Sequence, residues 1–97
     1  MTVRPFIVRC MVDGCPVEAL YKLAAEWSDG TIQELKSYGL ACEQHLPTVF
    51  RLSREKRGRC RLAGGESLSE PRIFRLEPGA RDRQLVRQTD LEVQLAR

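Results

Sequence analysis

Three of the four cysteines and the sole histidine of this 97-residue chain form two close pairs. The first pair is Cys10-x4-Cys15, and the second is Cys42-x2-His45, with 26 residues between them. A zinc ion takes four such ligands at tetrahedral corners, and a short loop within each pair lets both side chains reach one ion without strain. The spacing therefore predicts a Cys3His site that joins the two ends of the intervening segment.

The segment between the two pairs has the pattern of a β-hairpin. Residues 17–27 alternate apolar and charged side chains, which is typical of a half-buried strand. Residues 28–30 (Ser-Asp-Gly) supply a hairpin turn. Residues 31–42 predict the return strand, with three apolar side chains in alternate positions: Ile32, Tyr38 and Leu40. Residue propensity alone would also allow a helix over residues 18–27. The Asp-Gly turn midway between the two pairs favours the hairpin.

A helix is predicted over residues 43–57, because four residues recur at helical spacing: Leu46, Val49, Phe50 and Ser53. Pro47 is compatible with its first turn, and Gly58 is expected to end it. Cys42 at the start of this helix and His45 three residues later are expected to lie on one face. The N–H groups of a first helical turn also favour a thiolate at that end.

The remaining sequence predicts an extension of this module. Residues 4–10 read as a strand that leads into the first cysteine pair, and residues 59–62 as a short extended piece. A loop over residues 63–71, a strand over 72–76, a turn over 77–79 and a weakly amphipathic helix over 80–97 follow. We therefore expect one small α+β domain over residues 1–97, with a zinc module over about residues 4–58 and a C-terminal extension over about 59–97.

The stretch CMVDGCPVEALYKLAAEWSDG…YGLACEQHLP resembles the small prokaryotic zinc-binding proteins of the zinc-ribbon or treble-clef type. In those proteins a cysteine knuckle, a hairpin and a second Cys–His knuckle that opens a helix surround one zinc ion. The resemblance covers about residues 10–50 and implies that Cys10, Cys15, Cys42 and His45 are the metal ligands. The first knuckle is two residues longer than the commonest C-x2-C spacing.

Other uses of these residues are open on the sequence alone. Cys10 and Cys42 could be small buried residues beside a surface histidine, and an iron–sulfur cluster could use the same four ligands. A redox pair of Cys10 and Cys15 is disfavoured, because reactive dithiols have the spacing C-x-x-C. A closed Cys3His set favours structural zinc, since four protein ligands leave no position for water or substrate. The sequence therefore predicts Zn²⁺ as a structural cofactor, and no enzyme.

Cys60 is the one cysteine outside the two pairs, within the arginine-rich stretch RGRCRL. One interpretation is a small half-buried residue. The other is a thiolate activated by its cationic neighbours, or an intermolecular contact.

Positive charge is concentrated in the second half of the chain. Residues 1–50 carry 4 basic and 6 acidic side chains, a net −2, whereas residues 51–97 carry 12 and 7, a net +5. A helix would direct Arg51, Arg54, and Arg57 or Lys56 to solvent, opposite its apolar side. The run predicts a candidate phosphate-contacting surface, made of Arg51, Arg54, Lys56, Arg57, Arg59 and Arg61.

A solvated helix face is the plainer interpretation of that run. No cluster of exposed aromatic residues offers bases a stacking platform, because Trp27 and Tyr38 alternate with apolar residues and are expected in the core. The sequence thus predicts a zinc-binding protein-interaction or adaptor module, with a nucleic-acid-binding zinc module as the alternative. Self-association is a further option, through the C-terminal segment that starts at Arg72 and ends at Arg97.

No apolar run approaches the roughly 20 residues that a membrane helix requires, and no signal peptide is evident. We therefore expect no membrane partner and a cytoplasmic location, where thiols stay reduced.

Overall fold

The structure is a computed structural model that describes residues 8–76 and 86–96. These residues form one antiparallel sheet of five strands, accompanied by two helices. In chain order the elements are β1 (Tyr21–Ser28), β2 (Gln33–Ala41), α1 (Leu46–Arg59), β3 (Ser67–Leu68), β4 (Arg72–Arg75), β5 (Val86–Arg87) and α2 (Thr89–Leu95). The predicted small α+β fold, with a hairpin, a following helix and a C-terminal strand and helix, is confirmed.

The sheet has the strand order β2-β1-β4-β5, and β3 pairs with the end of β1 at Trp27 and Ser28. Strand β1 is therefore central, whereas β2 is an edge strand. Helix α1 packs on β2 and β1, and α2 packs on β4. No helix within the described ranges has the length and apolar content that crossing a membrane requires.

The turn between β1 and β2 is held by Asp29. Its Oδ1 accepts the backbone N–H groups of Thr31 and Ile32 at 2.8 and 2.7 Å, and Gly30 adopts a φ of 95°. These N–H groups, Ile32 first and then Thr31, lower the pKa of the Asp29 carboxyl below its usual value. Ile32 lies in this turn with an exposed side chain, so its predicted place in the return strand is wrong.

A β-bulge interrupts the pairing of β1 with β2. Leu23 pairs with Gly39 and Ala24 with Ser37, so Tyr38 is an extra residue in β2. Ala24 is as fully buried as Leu23, and the predicted alternation therefore fails in the middle of β1. The physical reason is that β1 has a neighbouring strand on each side, which covers a side chain as short as that of alanine.

Helix α1 buries the four residues that helical spacing indicated: Leu46, Val49, Phe50 and Ser53. Its ends differ from the prediction. The helix starts at Leu46, because Pro47 is suited to a first turn, where a missing N–H costs nothing. It passes through Gly58 to Arg59, and a glycine near a helix end costs only about 1 kcal/mol.

The hydrophobic core lies between the sheet and α1 and contains Leu23, Ala41, Leu46, Val49, Phe50 and Ile73. Tyr38 packs against this cluster, in line with the core position expected for it. Trp27 is half-buried, and its Nε1 donates to the Glu66 carboxylate at 2.7 Å.

The C-terminal part differs from the prediction in two elements. The loop expected over residues 63–71 contains β3, and residues 86–87 form β5 where a helix was expected. Of the extended piece expected over residues 59–62, Arg59 is the last residue of α1 and Cys60 has an extended backbone. The predicted strand over residues 72–76 is confirmed as β4. The turn over residues 77–79, the predicted helical position of Leu85 and residues 4–7 of the first strand lie outside the described residues.

Glu92 attaches α2 to the sheet. Its carboxylate accepts the backbone N–H of Ile73 at 3.1 Å, and Arg87 donates to it from Nε at 3.0 Å and from a terminal nitrogen at 2.9 Å. One side chain of α2 therefore links β4 and β5, and its bonds to Arg87 raise the pKa of that guanidinium.

Candidate metal centre

The first cysteine pair lies on a tight loop. Residues 8–10 and 17–19 run antiparallel, with Cys10 N–H donating to Val17 O at 2.9 Å and Arg9 bridging Glu18. Cys15 N–H closes the turn by donating to Val12 O at 3.0 Å, and Gly14 takes a φ of 79° that glycine favours. The loop turns back on itself, which places both thiols on one side.

Backbone hydrogen bonds fix this loop beside the end of β2. Met11 N–H donates to Leu40 O at 3.0 Å, and Leu20 N–H donates to Ala41 O at 2.9 Å. Gly39 leaves room for this contact, because a Cβ there would overlap the Met11 sulfur, which would have to shift, and would approach Val49 Cγ1 at 3.1 Å. The first pair is therefore held within reach of the residue that follows β2.

The second pair spans a turn and not a helical face. Cys42 follows β2, residues 43–45 form a turn, and His45 is the residue before the first turn of α1. The expectation that Cys42 starts the helix is therefore wrong. Its thiol still lies 3.3 Å from His45 Nδ1, because the turn reverses the chain between them.

The structure brings Cys10, Cys15, Cys42 and His45 together, with one ligand atom from each and all four atoms within 4.8 Å of one another. Besides the 3.3 Å contact, Cys10 Sγ lies 3.7 Å from His45 Nδ1, and Cys15 Sγ lies 3.9 Å from Cys42 Sγ. Tetrahedral zinc, with Zn–S near 2.3 Å and Zn–N near 2.0–2.1 Å, requires S···S of about 3.8 Å and S···N of about 3.6 Å. These three separations lie within about 0.3 Å of the values for a single four-coordinate ion, and 3.9 Å is too long for a disulfide.

The site is covered on one side and reaches the surface on the other. The exposed fraction is 6% for Cys10 and 2% for Cys42, whereas Cys15 and His45 are half-buried. Two ligands therefore belong to the interior of the fold, and the other two form its outer side.

Backbone amides bias the thiols towards the charged form that a metal needs. Burial alone would raise the pKa of Cys10, but the N–H groups of Cys42 and Val12, together with the Cys42 and His45 side chains, bring that pKa to about 7. At Cys15 the Val17 N–H lowers the pKa, but burial and the neighbouring thiols outweigh it and raise the pKa. Such bonds orient metal ligands and adjust their basicity.

Sequence reasoning missed these amide donors. Val12 and Val17 each lie two residues after a cysteine. The same hydrogen bond, from a backbone amide to the cysteine sulfur two residues earlier, therefore occurs at Cys10 and at Cys15. The turn signal Asp13-Gly14 between the two cysteines could have indicated it.

The six basic side chains of residues 51–61 differ in their exposure to solvent. Arg51, Arg54, Lys56, Arg59 and Arg61 are exposed, whereas Arg57 is half-buried. Arg57 donates to Leu68 O at 2.8 Å and lies 3.6 Å from the Glu70 carboxylate. Of the two alternatives Arg57 and Lys56, Lys56 is therefore the one that faces solvent. Arg57 lies four residues after the buried Ser53, on the same face of α1.

The exposed cations of α1 lie on two flanks. At about 100° per residue, Arg51 and Arg54 fall on one side of the buried face, and Lys56 and Arg59 fall on the other. Arg54 lies over the Phe50 ring at 5.9 Å and borders a groove of about 630 Å³. The run therefore presents two separate basic patches.

Cys60 lies at the end of α1 and is half-buried. Lys36 of β2 donates to its sulfur from Nζ at 3.5 Å. Its cationic neighbour is thus a lysine from the sheet rather than one of the arginines beside it in the sequence.

No protein-family model, curated protein or solved structure shows significant similarity to this chain.

Proposed function

We propose that this chain is a small zinc-binding protein in which Cys10, Cys15, Cys42 and His45 hold a structural Zn²⁺, and that it acts as a protein-interaction or adaptor module. The observation that carries the proposal is the convergence of three sulfurs and one imidazole nitrogen, within 4.8 Å, from two segments that the hairpin separates. That is the donor set of a closed zinc site.

A structural role follows from the number of ligands. Catalytic zinc keeps one position for water or substrate, and four protein ligands fill that position. We therefore assign the metal to folding and propose no enzymatic activity. Binding of zinc to a small module contributes on the order of 10 kcal/mol in apparent free energy, which is comparable to the whole stability of a domain. The site needs reduced thiols, which is consistent with the expected cytoplasmic location.

Support for an interaction role comes from the loop that carries the first two ligands. Met11 and Val17 flank Cys10 and Cys15, and their side chains are 43% and 51% exposed. A metal bound by Cys10 and Cys15 would hold the loop, and with it these apolar side chains, in a fixed arrangement. Fixed apolar groups at little entropic cost are what a protein-binding surface requires.

The direct test is the metal content of the purified protein. We expect one zinc per chain after purification under reducing conditions, measured by elemental analysis. Cys42→Ser should lose the metal, whereas Cys60→Ser, a substitution outside the cluster, should keep it. A wild-type chain free of metal after zinc has been supplied would contradict the proposal.

A nucleic-acid-binding module is the second candidate, and the five exposed cations of residues 51–61 support it. The test compares the two flanks in a mobility shift at increasing salt. If the surface binds phosphates, wild-type affinity should fall steeply with salt, and Arg51→Glu with Arg54→Glu should weaken it. Lys56→Glu with Arg59→Glu is the matched pair on the other flank. Arg57 is unsuited to this test, because its guanidinium makes the internal contacts described above.

We propose self-association through the C-terminal segment as a further option, and the fold restricts how it can be tested. β4 lies between β1 and β5, and Ile73 is fully buried, so deleting the segment from Arg72 onwards would remove an inner strand. Val86 and Val93 are the exposed apolar side chains of the described part of this segment. Substituting them, rather than truncating the chain, is the appropriate test.

A further inference from the structure

Over residues 33–37, the outer edge of β2 has no paired strand among the residues that the structure describes. Within residues 8–76 and 86–96, Met11 N–H reaches this edge at Leu40 O, next to the bulge at Tyr38, and no segment pairs with the outer side of residues 33–37. The bulge bounds the straight part at one end, and the turn held by Asp29 bounds it at the other. Such an edge presents unpaired N–H and C=O groups that can accept another strand.

The side chains on this edge are complementary to themselves. Glu34, Leu35 and Lys36 place one acid and one base symmetrically about an apolar residue. In an antiparallel pair of strands, residues opposite each other interact directly. A two-fold axis at Leu35 would therefore place each Glu34 opposite a Lys36, and Leu35 opposite its own copy.

The two faces of β2 separate these contacts. Lys36 reaches Cys60 at the end of α1, so it lies on the helix-covered face, and Glu34 lies on the same face two residues away. Leu35 points to the opposite face, where 40% of it is exposed. Pairing would thus form two ion pairs on one face and an apolar contact on the other.

We propose that two copies of this chain associate through antiparallel pairing of their β2 outer edges, with three kinds of residue pair: Gln33 with Ser37, Glu34 with Lys36, and Leu35 with Leu35. The two sheets would then continue across the dimer, and the interface is the isologous type of most homodimers. The proposal goes beyond the adaptor role by naming the partner. It rests on the sheet rather than on the metal.

The charges select this register over its neighbours. An axis at Glu34 would place two carboxylates opposite each other, and an axis at Lys36 would do the same with two ammonium groups. Parallel pairing in register brings together like charges at both positions. Charged residues on an edge strand ordinarily prevent association. Here they disfavour each of these three alternatives. They favour antiparallel pairing about Leu35, in which the second copy presents its charges in the opposite order.

The expected dimer is weak, since five paired residues per chain form a small interface. We expect a dissociation constant on the order of micromolar to tens of micromolar. Sedimentation equilibrium of the zinc-loaded, full-length chain, from about one to several hundred micromolar, measures it. The metal content of the same samples separates a failure of this proposal from a failure of the zinc site.

Charge reversal supplies the decisive comparison. Glu34→Lys and Lys36→Glu should each weaken dimerisation about tenfold or more, because two attractive pairs become repulsive. The double variant E34K/K36E restores both pairs in every dimer and should return to within a few-fold of wild type. Circular dichroism of each variant identifies any loss of folding.

Two further variants isolate the edge. Glu55→Lys changes an exposed acid on α1 and should leave the dimer unchanged. Cys60→Ala removes the sulfur that accepts from Lys36 without altering the charge pattern, and it should also leave the dimer unchanged. A chain that stays monomeric at several hundred micromolar would overturn the proposal. So would a dimer that tolerates either single reversal, or one that the double variant fails to restore.

Discussion

The Cys15 thiol lies 3.9 Å from the Cys42 thiol, although the two residues are 27 positions apart in the chain. The hairpin accounts for this proximity, because its pairing runs from Ser28 opposite Gln33 back to Tyr21 opposite Ala41. The bond from Met11 N–H to Leu40 O then brings the cysteine loop to the same end of the sheet. Fold and site therefore depend on each other.

Removal of one ligand should unfold the chain. Cys42→Ser replaces the most buried thiolate of the cluster, and we expect loss of the metal and of most secondary structure at 25 °C. The reason is that apparent zinc binding, on the order of 10 kcal/mol, equals or exceeds the stability of a typical domain. Circular dichroism during a denaturant titration measures this effect, with Cys60→Ser as the control that should unfold like wild type. Equal midpoints for Cys42→Ser and wild type would show that the metal does not stabilise the fold.

Zinc affinity should fall as the pH decreases. The pKa of Cys10 is about 7, below its ordinary value of 9.0. Its thiolate therefore stabilises the fold fully above about pH 9, and this contribution is lost as the pH falls through about 7. The raised pKa of Cys15 acts in the opposite sense, since its thiolate is disfavoured. Protons compete with zinc for the thiolates, and below pH 7 they compete at Cys10 as well.

A competition titration with a chromophoric chelator tests this dependence. We expect the apparent zinc affinity to drop by more than about tenfold between pH 7 and pH 6. An affinity that stays constant from pH 8 to pH 6 would indicate that thiolates do not bind the metal.

Glu92 should hold α2 on the sheet. Glu92→Ala removes the acceptor of the Ile73 amide and of the Arg87 guanidinium, and hydrogen bonds to charged groups are worth about 1.5–3 kcal/mol. We expect a loss of about 2 kcal/mol in the free energy of unfolding, measured in urea with zinc bound. Gln94→Ala, at an exposed position of the same helix, should change it by less than about 0.5 kcal/mol. Equal effects of the two substitutions would exclude this anchoring role.

Leu23 should be a main contributor to the core. It is fully buried between the sheet and α1, so Leu23→Ala should cost about 2–5 kcal/mol. Leu52 is 38% exposed on α1, and Leu52→Ala should cost less than about 1 kcal/mol. Urea unfolding of both variants measures the difference. If Leu52→Ala cost as much as Leu23→Ala, the assignment of the buried face would be wrong.

Local patterns indicated the hairpin, the buried face of α1 and β4 correctly, because each depends on periodicity within one element. The helical spacing of the four buried residues of α1 can be recognised without knowing the rest of the chain: Leu46, Val49, Phe50 and Ser53. The four residues of the cluster could be predicted together for a related reason, since close pairs separated by a hairpin can converge only at its open end.

The features that were missed depend on contacts between distant residues. The burial of Ala24 results from a strand on each side of β1, and the pairing of Val86–Arg87 results from β4 beside it. Arg57 leaves the basic surface because Leu68 and Glu70 lie across from it. Charge alone could not indicate this, since an arginine on a predicted helix has the same local pattern whether it faces solvent or a carbonyl.

X-ray absorption of the zinc-loaded protein tests the central claim most directly, because it reports the donor atoms around the metal. The account predicts three sulfurs near 2.3 Å and one nitrogen near 2.0–2.1 Å, with no water in the shell. Cys60→Ser, a substitution outside the cluster, should leave the spectrum unchanged. A shell with fewer than three sulfurs, or with a bound water in place of a protein ligand, would contradict a closed Cys3His site.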